Sequence, residues 1–412
     1  MKCTLMHKRI PVAEIELDDA VGFIAGIESV HSPEHLPIGV RMENGNCDRT
    51  AINEWWEKRS IPSNRYGIRE ALETLEIADT KMLLIRCNGL SLSDQYWIRP
   101  DGSSLTWDAV NFFDNPFSDD IGDVLFGKDK KKDSLDLSSP DSTTIGNLKK
   151  RWQSINGRQH LIKGGSNPFR QQPFNEQIAT EICWRLGIDC VPYQAAWNKD
   201  TPCSVCANFV SADTELVSAW QIFQTKKKSN STSTYQHFID CCEGLGIKDA
   251  VPFLDRMIVL DYIIANEDRH LNNFGVLRNA EKLEWIGFAP IYDSGSSLGY
   301  DKLPAQMRFE DEYICKPFKK HHAEQLKLVS SFAWIDFEKL GDVREIITGI
   351  MTLDGASDYL DTTRVNMICD MTEKRIRNLE QLAMSHTNVR VDSTEDDVTE
   401  DVAEDYSPKM SM

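Results

Sequence analysis

The sequence predicts an α+β fold of two lobes, preceded by an additional N-terminal α/β module. Three observations lead to this fold class. A segment rich in charge, serine and proline, residues 128–142, has little to bury and divides the chain as a linker or exposed loop. Strand and helix patterns follow it, and helical patterns dominate from Tyr235 onward. This order is typical of a small mixed β lobe joined to a mainly helical second lobe.

The N-terminal module, residues 1–127, is predicted from short helical and strand patterns. Helices are expected at 53–59 and 65–75, on either side of Pro62, and a strand is expected at 96–98. The module shows no recognisable catalytic constellation, so the sequence leaves its role open.

The domain that follows the linker, residues 143–385, contains the elements of both lobes. A turn at Asn156-Gly157 precedes a strand at 158–163. A helix over 173–186 is expected to end at Gly187. Further features are strands at 191–197 and 204–210, a lobe boundary near 210–235 and a helix with a wide buried face at 251–264.

Composition limits the partners and the compartment. The net charge of −18 disfavours direct nucleic-acid binding, which needs a basic surface. No apolar stretch approaches the length of a bilayer span and the first residues do not read as a signal peptide, so we expect a cytoplasmic protein without a membrane partner. Residues 386–412 are rich in acidic groups and poor in apolar ones, which predicts a disordered tail.

Two short polar segments carry residue types suited to phosphoryl transfer. Asp268 and Asn273 lie in residues 266–275, and Asp293 lies in residues 289–295. The reaction needs a carboxylate to orient the attacking hydroxyl, oxygen ligands for magnesium and a cation on the phosphates. The two residues of the first segment have the spacing of the aspartate and asparagine in the protein-kinase pattern H-R-D-x-x-x-x-N, and Asp-Ser-Gly at 293 fits the place of Asp-Phe-Gly.

His270 stands two residues after the candidate catalytic aspartate, and two roles are open for it. It could orient the loop through hydrogen bonds, which we favour, or it could transfer a proton directly.

The run Asn-x-Asp-Arg-His-x-x-Asn-Phe-Gly, followed by Tyr-Asp-x-Gly, resembles the catalytic segment of the HipA-like serine/threonine kinases, a family of bacterial toxin kinases. The resemblance extends over about residues 143–382. It implies a two-lobed protein-kinase-like fold with ATP and Mg²⁺ as cofactors. It also implies that Asp268 is the catalytic aspartate and that Asn273 and Asp293 hold the magnesium ion.

The same resemblance implies roles for residues upstream. Lys163, in Leu-Ile-Lys-Gly-Gly, corresponds to the strand lysine on the ATP phosphates, and Glu176 is its candidate partner, with a purely helix-dipole role as the alternative. Residues 143–150 occupy the place of the family's phosphate loop, where Gly146 and Lys150 match its Gly and Lys. An ordinary surface turn before a strand is the alternative for this loop.

Thr143 lies where HipA-like kinases carry the serine that they autophosphorylate, and Ser142 and Thr144 flank it. Autophosphorylation there would add negative charge to the loop that covers the nucleotide. The alternative is that these hydroxyls only cap the turn that enters the strand.

Three functions remain open at this point. The first is a protein serine/threonine kinase acting on an unidentified protein substrate. The second is a lipid or small-molecule kinase, because phosphatidylinositol kinases also display Asp-Arg-His-x-x-Asn followed by Asp-x-Gly. The third is a pseudokinase that serves as a nucleotide-gated interaction module. Residues 1–127 depart from the corresponding segment of the toxin-type members, which work beside a DNA-binding antitoxin, so an antitoxin partner is not indicated.

Overall fold

The computed structural model describes residues 1–127, 135–307 and 313–395, which form a mixed α/β structure. Within these ranges the strands form two four-stranded sheets, a three-stranded sheet and a small hairpin. All strand pairs in these sheets are antiparallel.

The N-terminal module is built around one antiparallel sheet. Its strands are β1 (Lys2–His7), β2 (Ile10–Asp18), β3 (Phe23–Val30), β4 (Met42–Glu43), β5 (Asn46–Cys47) and β6 (Tyr96–Pro100). Its helices are α1 (Arg49–Glu57), α2 (Ile68–Leu75), α3 (Thr80–Arg86), α4 (Trp107–Val110) and α5 (Asp120–Leu125). The larger sheet has the order β3-β2-β1-β6. The strand at 96–98 and the two helices beside Pro62 are confirmed with shifted bounds. Strand β1 was not predicted, because it is buried on both faces and apolar and polar residues do not alternate along it.

The second sheet has the order β7-β8-β10-β9. Its elements are β7 (Lys150–Ile155), β8 (Arg158–Gly164), α6 (Gln172–Leu186), β9 (Gln194–Asn198) and β10 (Thr201–Ala207). Asn156 and Gly157 both have positive φ, as a tight two-residue hairpin turn requires. Gly187, in the left-handed conformation, ends α6 as predicted. The strands expected at 191–197 and 204–210 are present but lie up to three residues away from those bounds.

The remaining part is mainly helical. Its strands are β11 (Thr214–Ser218), β12 (Gly275–Asn279) and β13 (Trp285–Phe288). Its helices are α7 (Ala219–Phe223), α8 (Thr234–Leu245), α9 (Ala250–Ile263), α10 (His322–Leu326), α11 (Val343–Met351) and α12 (Thr362–Glu395). The predicted buried helix is α9, whose residues Met257, Leu260 and Ile263 are fully enclosed. It forms the centre of the largest apolar core, against which α6, α8 and α12 pack.

The segment predicted to be a linker differs from that expectation at its carboxyl end. Residues 128–134 lie outside the described residues. The following residues form a short 3-10 helix, Pro140–Thr143, that is buried. Asp141 is fully buried and accepts a hydrogen bond from the backbone N–H of Trp152. Burial raises the pKa of the Asp141 carboxyl to about 7. The Asp141 carboxyl and the Ser139 hydroxyl that donates to it therefore serve an internal turn, which composition alone does not distinguish from a surface loop.

Side-chain contacts join the N-terminal module directly to the rest of the chain. His7 Nε2 lies 3.1 Å from Glu215 Oε2, and both side chains are buried. Arg278 pairs with the same glutamate. Lys8 Nζ lies 3.3 Å from Asp213 Oδ1. The module therefore packs as part of the molecule rather than as a separate unit on a flexible connection.

The carboxyl-terminal helix continues beyond the predicted domain end. α12 extends to Glu395, well into the segment 386–412 that was expected to be disordered. Residues 396–412 of that predicted acidic tail lie outside the described residues. Among the helices that the structure describes, none is long and apolar enough to cross a membrane.

Candidate active site

The loop between α9 and β12 carries Asp268 and is fixed by a buried ion pair beneath it. Arg269 is fully buried, and its guanidinium lies 3.0 Å from Asp261 Oδ1. Asn266 donates a hydrogen bond to the same carboxylate at 2.8 Å and accepts one from the backbone N–H of Asp268 at 3.1 Å. Burial alone lowers the pKa of Arg269, but Asp261 raises it above its ordinary value. The loop backbone is thus held in place while the Asp268 side chain remains 41% exposed.

Arg269 also connects the two predicted polar segments. Its Nη1 donates to the backbone oxygens of Asn273, at 2.9 Å, and of Tyr292. Its Nη2 donates to Ser294 Oγ at 2.9 Å. Arg269 therefore ties together the two segments that carry Asn273 and Asp293, the residues predicted to bind magnesium. The sequence pattern contains Arg269 but does not reveal this bridge.

Asn273 is oriented for ligation through its oxygen. Its Nδ2 donates to the backbone oxygen of Asp268 at 2.8 Å. None of the hydrogen bonds among the described residues uses Oδ1, so this atom remains available to a cation.

His270 takes a position that favours the orienting role. Its Nδ1 accepts a hydrogen bond from the backbone N–H of Asn272 at 3.2 Å. Its Nε2 lies 3.9 Å from Asp268 Oδ2, beyond hydrogen-bond distance. The ring therefore supports the turn of the loop through the Asn272 N–H group while it stays 40% exposed.

Lys163 lies at the centre of a buried charge cluster. Its Nζ contacts a carboxylate oxygen of Glu176 and lies 2.6 Å from Asp293 Oδ1. Lys163 and Glu176 are each 2% exposed. Ser204 donates its hydroxyl proton to the other oxygen of Glu176. The strand lysine, the helix glutamate and the aspartate of the second segment thus meet at one point, across separations of 13 and 130 residues.

Opposite charges within the cluster shift the pKa values of Lys163 and Asp293 in the directions that keep both ionised at neutral pH, whereas burial raises the pKa of Glu176 above its ordinary value. Burial alone lowers the pKa of Lys163, but the carboxylates of Asp293 and Glu176 raise it above its ordinary value. Burial alone raises the pKa of Asp293, but Lys163 and Lys150 bring it well below its ordinary value. A charged carboxylate at Asp293 is the form that can bind a divalent cation.

Helix α6 positions the segment that contains Asp293. Asn175 Nδ2 donates to the backbone oxygens of Gly295 at 2.9 Å and of Ser297 at 2.7 Å. A Cβ atom at Gly295 would lie 3.1 Å from Gln172 Cβ, so the backbone approaches the helix closely there. A role was predicted for Glu176 but not for its neighbour Asn175, although an Asn-Glu pair near a helix start was the available signal.

The predicted phosphate loop approaches the same cluster. In the register of β7 and β8, Lys150 pairs with Lys163, so both lysines lie on one face of the sheet. Lys150 is buried, and its Nζ donates to the backbone oxygen of Ile145 at 2.7 Å. Gly146 has a φ of +99°, and a Cβ there would lie 2.5 Å from Lys150 Nζ. The predicted glycine and lysine therefore fit together as one unit.

This loop presents backbone donors that the protein itself does not use. Among the hydrogen bonds of the described residues, the N–H groups of residues 145–148 have no acceptor. Successive free N–H groups in a turn can form a concave anion site. The loop thus has the donors that a phosphate group would need.

The three candidate hydroxyls for autophosphorylation are buried. Thr143 Oγ1 donates to the backbone oxygens of Leu90 at 3.0 Å and Pro140 at 3.1 Å. Thr144 Oγ1 donates to the backbone oxygen of Asp141 at 2.9 Å. Ser142 is fully enclosed. These contacts are those of the capping alternative, and phosphorylation would require the segment to leave this position.

Lys316 is a site residue that sequence reasoning missed. Its Nζ lies 2.7 Å from Asp268 Oδ1. The turn that carries it is anchored by Gln325, which accepts the N–H groups of Phe318 and Lys319 and donates to the backbone oxygen of Lys316. No local motif marks this lysine, because it lies 48 residues after the aspartate.

The residues present fit a magnesium ion held together with phosphate oxygens. In the described ranges, no group of three or more His, Cys, Asp and Glu side chains could hold a metal ion by itself. Magnesium is commonly bound by one or two carboxylates, waters and substrate phosphates, so the Asp293 carboxylate and Asn273 Oδ1 suffice as protein ligands. ATP would supply the remaining oxygens.

Comparison with family models gives a match over residues 133–352 to the HipA-like C-terminal domain. No curated protein matches the sequence significantly. Among solved structures, the Helicobacter pylori proinflammatory kinase CtkA is 20% identical, with 56% of this chain and 95% of that chain covered and a TM-score of 0.39.

HipA of Shewanella oneidensis MR-1, solved in a complex of its toxin–antitoxin system with HipB and operator DNA, is 12% identical with a TM-score of 0.54. The alignment covers 92% of this chain and 97% of that chain. At this identity the likeness concerns the fold alone. The 8% left uncovered is about 33 of 412 residues, so the shared fold includes most of the 127-residue N-terminal module, even though the module's sequence was expected to depart from toxin-type members.

Proposed function

Because this chain belongs to the family of HipA-like C-terminal domains, whose model matches residues 133–352, we propose that it is a protein serine/threonine kinase that uses ATP and Mg²⁺. The acceptor is a serine or threonine hydroxyl of a cytoplasmic protein. In this proposal the sheet of β7–β10 with α6 is the small lobe of a two-lobed protein-kinase-like fold, and the part from β11 onward is the large lobe.

The observation that carries the proposal is the contact of Lys163 with both Glu176 and Asp293. A lysine that pairs with a helix glutamate, beside a metal-binding aspartate, is the arrangement that protein kinases need for phosphoryl transfer. A structural ion pair would need only one carboxylate, whereas here the second one belongs to the segment that Arg269 ties to Asn273.

Each residue then has a defined task. Lys163 and the free N–H groups of residues 145–148 bind phosphate oxygens, while Asn273 and Asp293 hold the metal. Asp268 orients the acceptor hydroxyl and accepts its proton. Lys316, in contact with Asp268, places a positive charge at the point where the phosphoryl group leaves ATP. Bound Mg²⁺ supplies neutralisation of the charge that develops on the phosphate oxygens.

The test is transfer of radiolabelled phosphate from ATP by the purified chain to protein lysate, with lipid head groups offered in parallel. Label in serine and threonine of proteins supports the proposal. Label only in lipid, or none in any acceptor while ATP binds, contradicts it.

Lys150 offers a prediction that separates ligand binding from stability. Burial lowers the pKa of Lys150 from 10.5 to about 8. At pH 7 the buried ammonium is still charged, and this charge lowers the stability of the folded protein. We expect Lys150→Met to raise the free energy of unfolding at pH 7 by roughly 1–3 kcal/mol, while it weakens ATP binding about tenfold. Thermal unfolding and nucleotide titration measure the two effects.

The difference in stability between Lys150→Met and the wild type should shrink as the pH rises. Below pH 8 both the folded and the unfolded wild type are protonated at Lys150, and the full cost is present. Between pH 8 and 10.5 the folded protein binds fewer protons, so the cost disappears as pH rises. Lys282→Met, at an exposed position away from the site, is the control. A Lys150→Met variant that is less stable than wild type at pH 7 contradicts the prediction.

Autophosphorylation at residues 142–144 stays a prediction. Because the Thr143 and Thr144 hydroxyls bond to backbone oxygens inside the protein, we expect slow modification, on Thr143 first, with a fall in ATP affinity afterwards. Peptide mass spectrometry during incubation with ATP measures it, with Asp268→Asn as the inactive control. An active enzyme that stays unmodified across these positions would leave only the capping role.

A further inference from the structure

Arg65, in the N-terminal module, reaches the phosphate loop. Its Nε donates to the backbone oxygen of Gly146 at 2.8 Å, and its Nη1 donates to Thr144 Oγ1 at 2.7 Å. Its Nη2 donates to the backbone oxygen of Thr144. The neighbouring Tyr66 donates its backbone N–H to the oxygen of Asn147 at 3.2 Å. The module therefore contacts the loop along its whole turn.

Arg65 and Lys150 together hold three successive carbonyl groups. Arg65 binds the oxygens of residues 144 and 146, and Lys150 binds the oxygen of residue 145. Across a trans peptide the C=O group and the following N–H group point in opposite directions. Each bound carbonyl therefore turns the next N–H group, at residues 145–147, away from the cation that holds it. These are N–H groups for which the described part of the chain provides no acceptor.

The Arg65 guanidinium is committed to this loop. It is 2% exposed, and among the described residues no carboxylate lies within ion-pair distance of it. A buried charge without an ionic partner is costly unless hydrogen bonds satisfy it, and here the loop oxygens provide them. Burial accordingly lowers the pKa of Arg65 to about 10, which leaves it charged at neutral pH.

Backbone hydrogen bonds and core packing hold the segment that carries Arg65. Its backbone N–H donates to the oxygen of Pro62 at 3.0 Å, and its own oxygen accepts from Ile68 at 3.1 Å, at the start of α2. Ile61 and Ile68 are buried in the core that α2, α3 and α5 share. A side chain on such a support can define the loop position closely.

We infer that Arg65 is a positioning residue that holds the phosphate loop in its phosphate-binding conformation, so that the N-terminal module is part of the nucleotide site. Arg65 touches no reacting atom and acts through the loop backbone. The inference rests on the proposed function and assigns the module a role in it.

The test compares the affinities of the full chain for Mg²⁺–ATP and for adenosine, which lacks phosphates. Arg65→Met is expected to weaken ATP binding about tenfold and to leave adenosine binding unchanged, because the lost contacts position only phosphate donors. Arg65→Lys keeps the positive charge but lacks the planar set of guanidinium N–H donors, so an intermediate loss of ATP affinity is expected. Hydrogen exchange at residues 145–148 should accelerate in both variants.

Arg59→Met is the matched control. Arg59 is also a buried guanidinium of the module, but it binds Asp94 and the backbone oxygens of Gly89 and Tyr96, all inside the module. The Arg59→Met variant should be less stable than the wild type, but its preference for ATP over adenosine should not change.

Wild-type ATP affinity in a folded Arg65→Met or Arg65→Lys variant would overturn the inference, as would equal losses for ATP and adenosine. The same loss of ATP preference in Arg59→Met would also overturn it, since instability alone would then explain the effect. A wild-type chain that binds adenosine no more weakly than ATP would instead contradict the proposed function.

Discussion

Replacing Asp268 with asparagine is expected to lower the rate of phosphoryl transfer by about 10²–10⁴-fold, while affinity for Mg²⁺–ATP stays near that of the wild type. The asparagine keeps the shape but no longer accepts the proton of the acceptor hydroxyl. The carboxylate of Asp268 contacts Lys316 and stands apart from the Lys163 cluster, so its loss leaves the phosphate-binding groups in place. Single-turnover transfer and nucleotide titration measure the two quantities.

Asp301→Asn is the matched control for this change. Asp301 is an exposed carboxylate that pairs with Lys302 and has no contact with the Lys163 cluster. Its replacement should leave transfer within about twofold of wild type, since exposed ion pairs contribute little. Near wild-type transfer by the Asp268→Asn variant would remove this residue from the mechanism.

The second large effect is expected at Asp293. Asp293→Asn should weaken Mg²⁺-dependent ATP binding by about 30-fold or more, because it removes the charge of a metal ligand whose side chain is only 27% exposed. The fold should tolerate the change, since Lys163 keeps its pairing with Glu176. Substitution of Lys163 is a less informative test, because it would leave the carboxylates of Glu176 and Asp293 without the cation that both contact.

Titration with ATP in the presence and absence of Mg²⁺ measures the loss at Asp293. The Asp268→Asn variant serves as the comparison, because it should retain the metal dependence while losing transfer. If Asp293→Asn binds ATP with unchanged metal dependence, the assigned metal site is wrong, whatever happens to the rate.

The sequence alone predicted those parts of the site whose residues lie close together along the chain. Asp268 and Asn273 lie five positions apart on one loop, and that spacing predicts the roles proposed for them. Helix α6 and strand β8 were predicted for the same reason. Hydrophobic periodicity and the glycine that ends α6 are properties of short stretches of sequence. The pair of Lys163 and Glu176 required the family resemblance in addition, and the structure brings the two residues together.

Contacts between distant segments were decided by tertiary structure alone. Arg65 meets the loop near Gly146 across 81 residues, and Lys316 meets Asp268 across 48. Neither contact has a local pattern, because each depends on how whole elements pack. The same holds for the buried turn before β7, whose charge and serines indicate exposure until Asp141 is seen to satisfy an internal N–H group.

The sequence by itself determined the mixed helix and strand content, the position of the polar loops and the residue types suited to phosphoryl transfer, because these follow from hydrophobic period, turn residues and side-chain chemistry. Only the tertiary structure decided which groups share the site. The Arg269 bridge between Asn273 and the Asp293 segment, and the contact of the N-terminal module with the phosphate loop, arise when burial forces separate polar groups to satisfy one another.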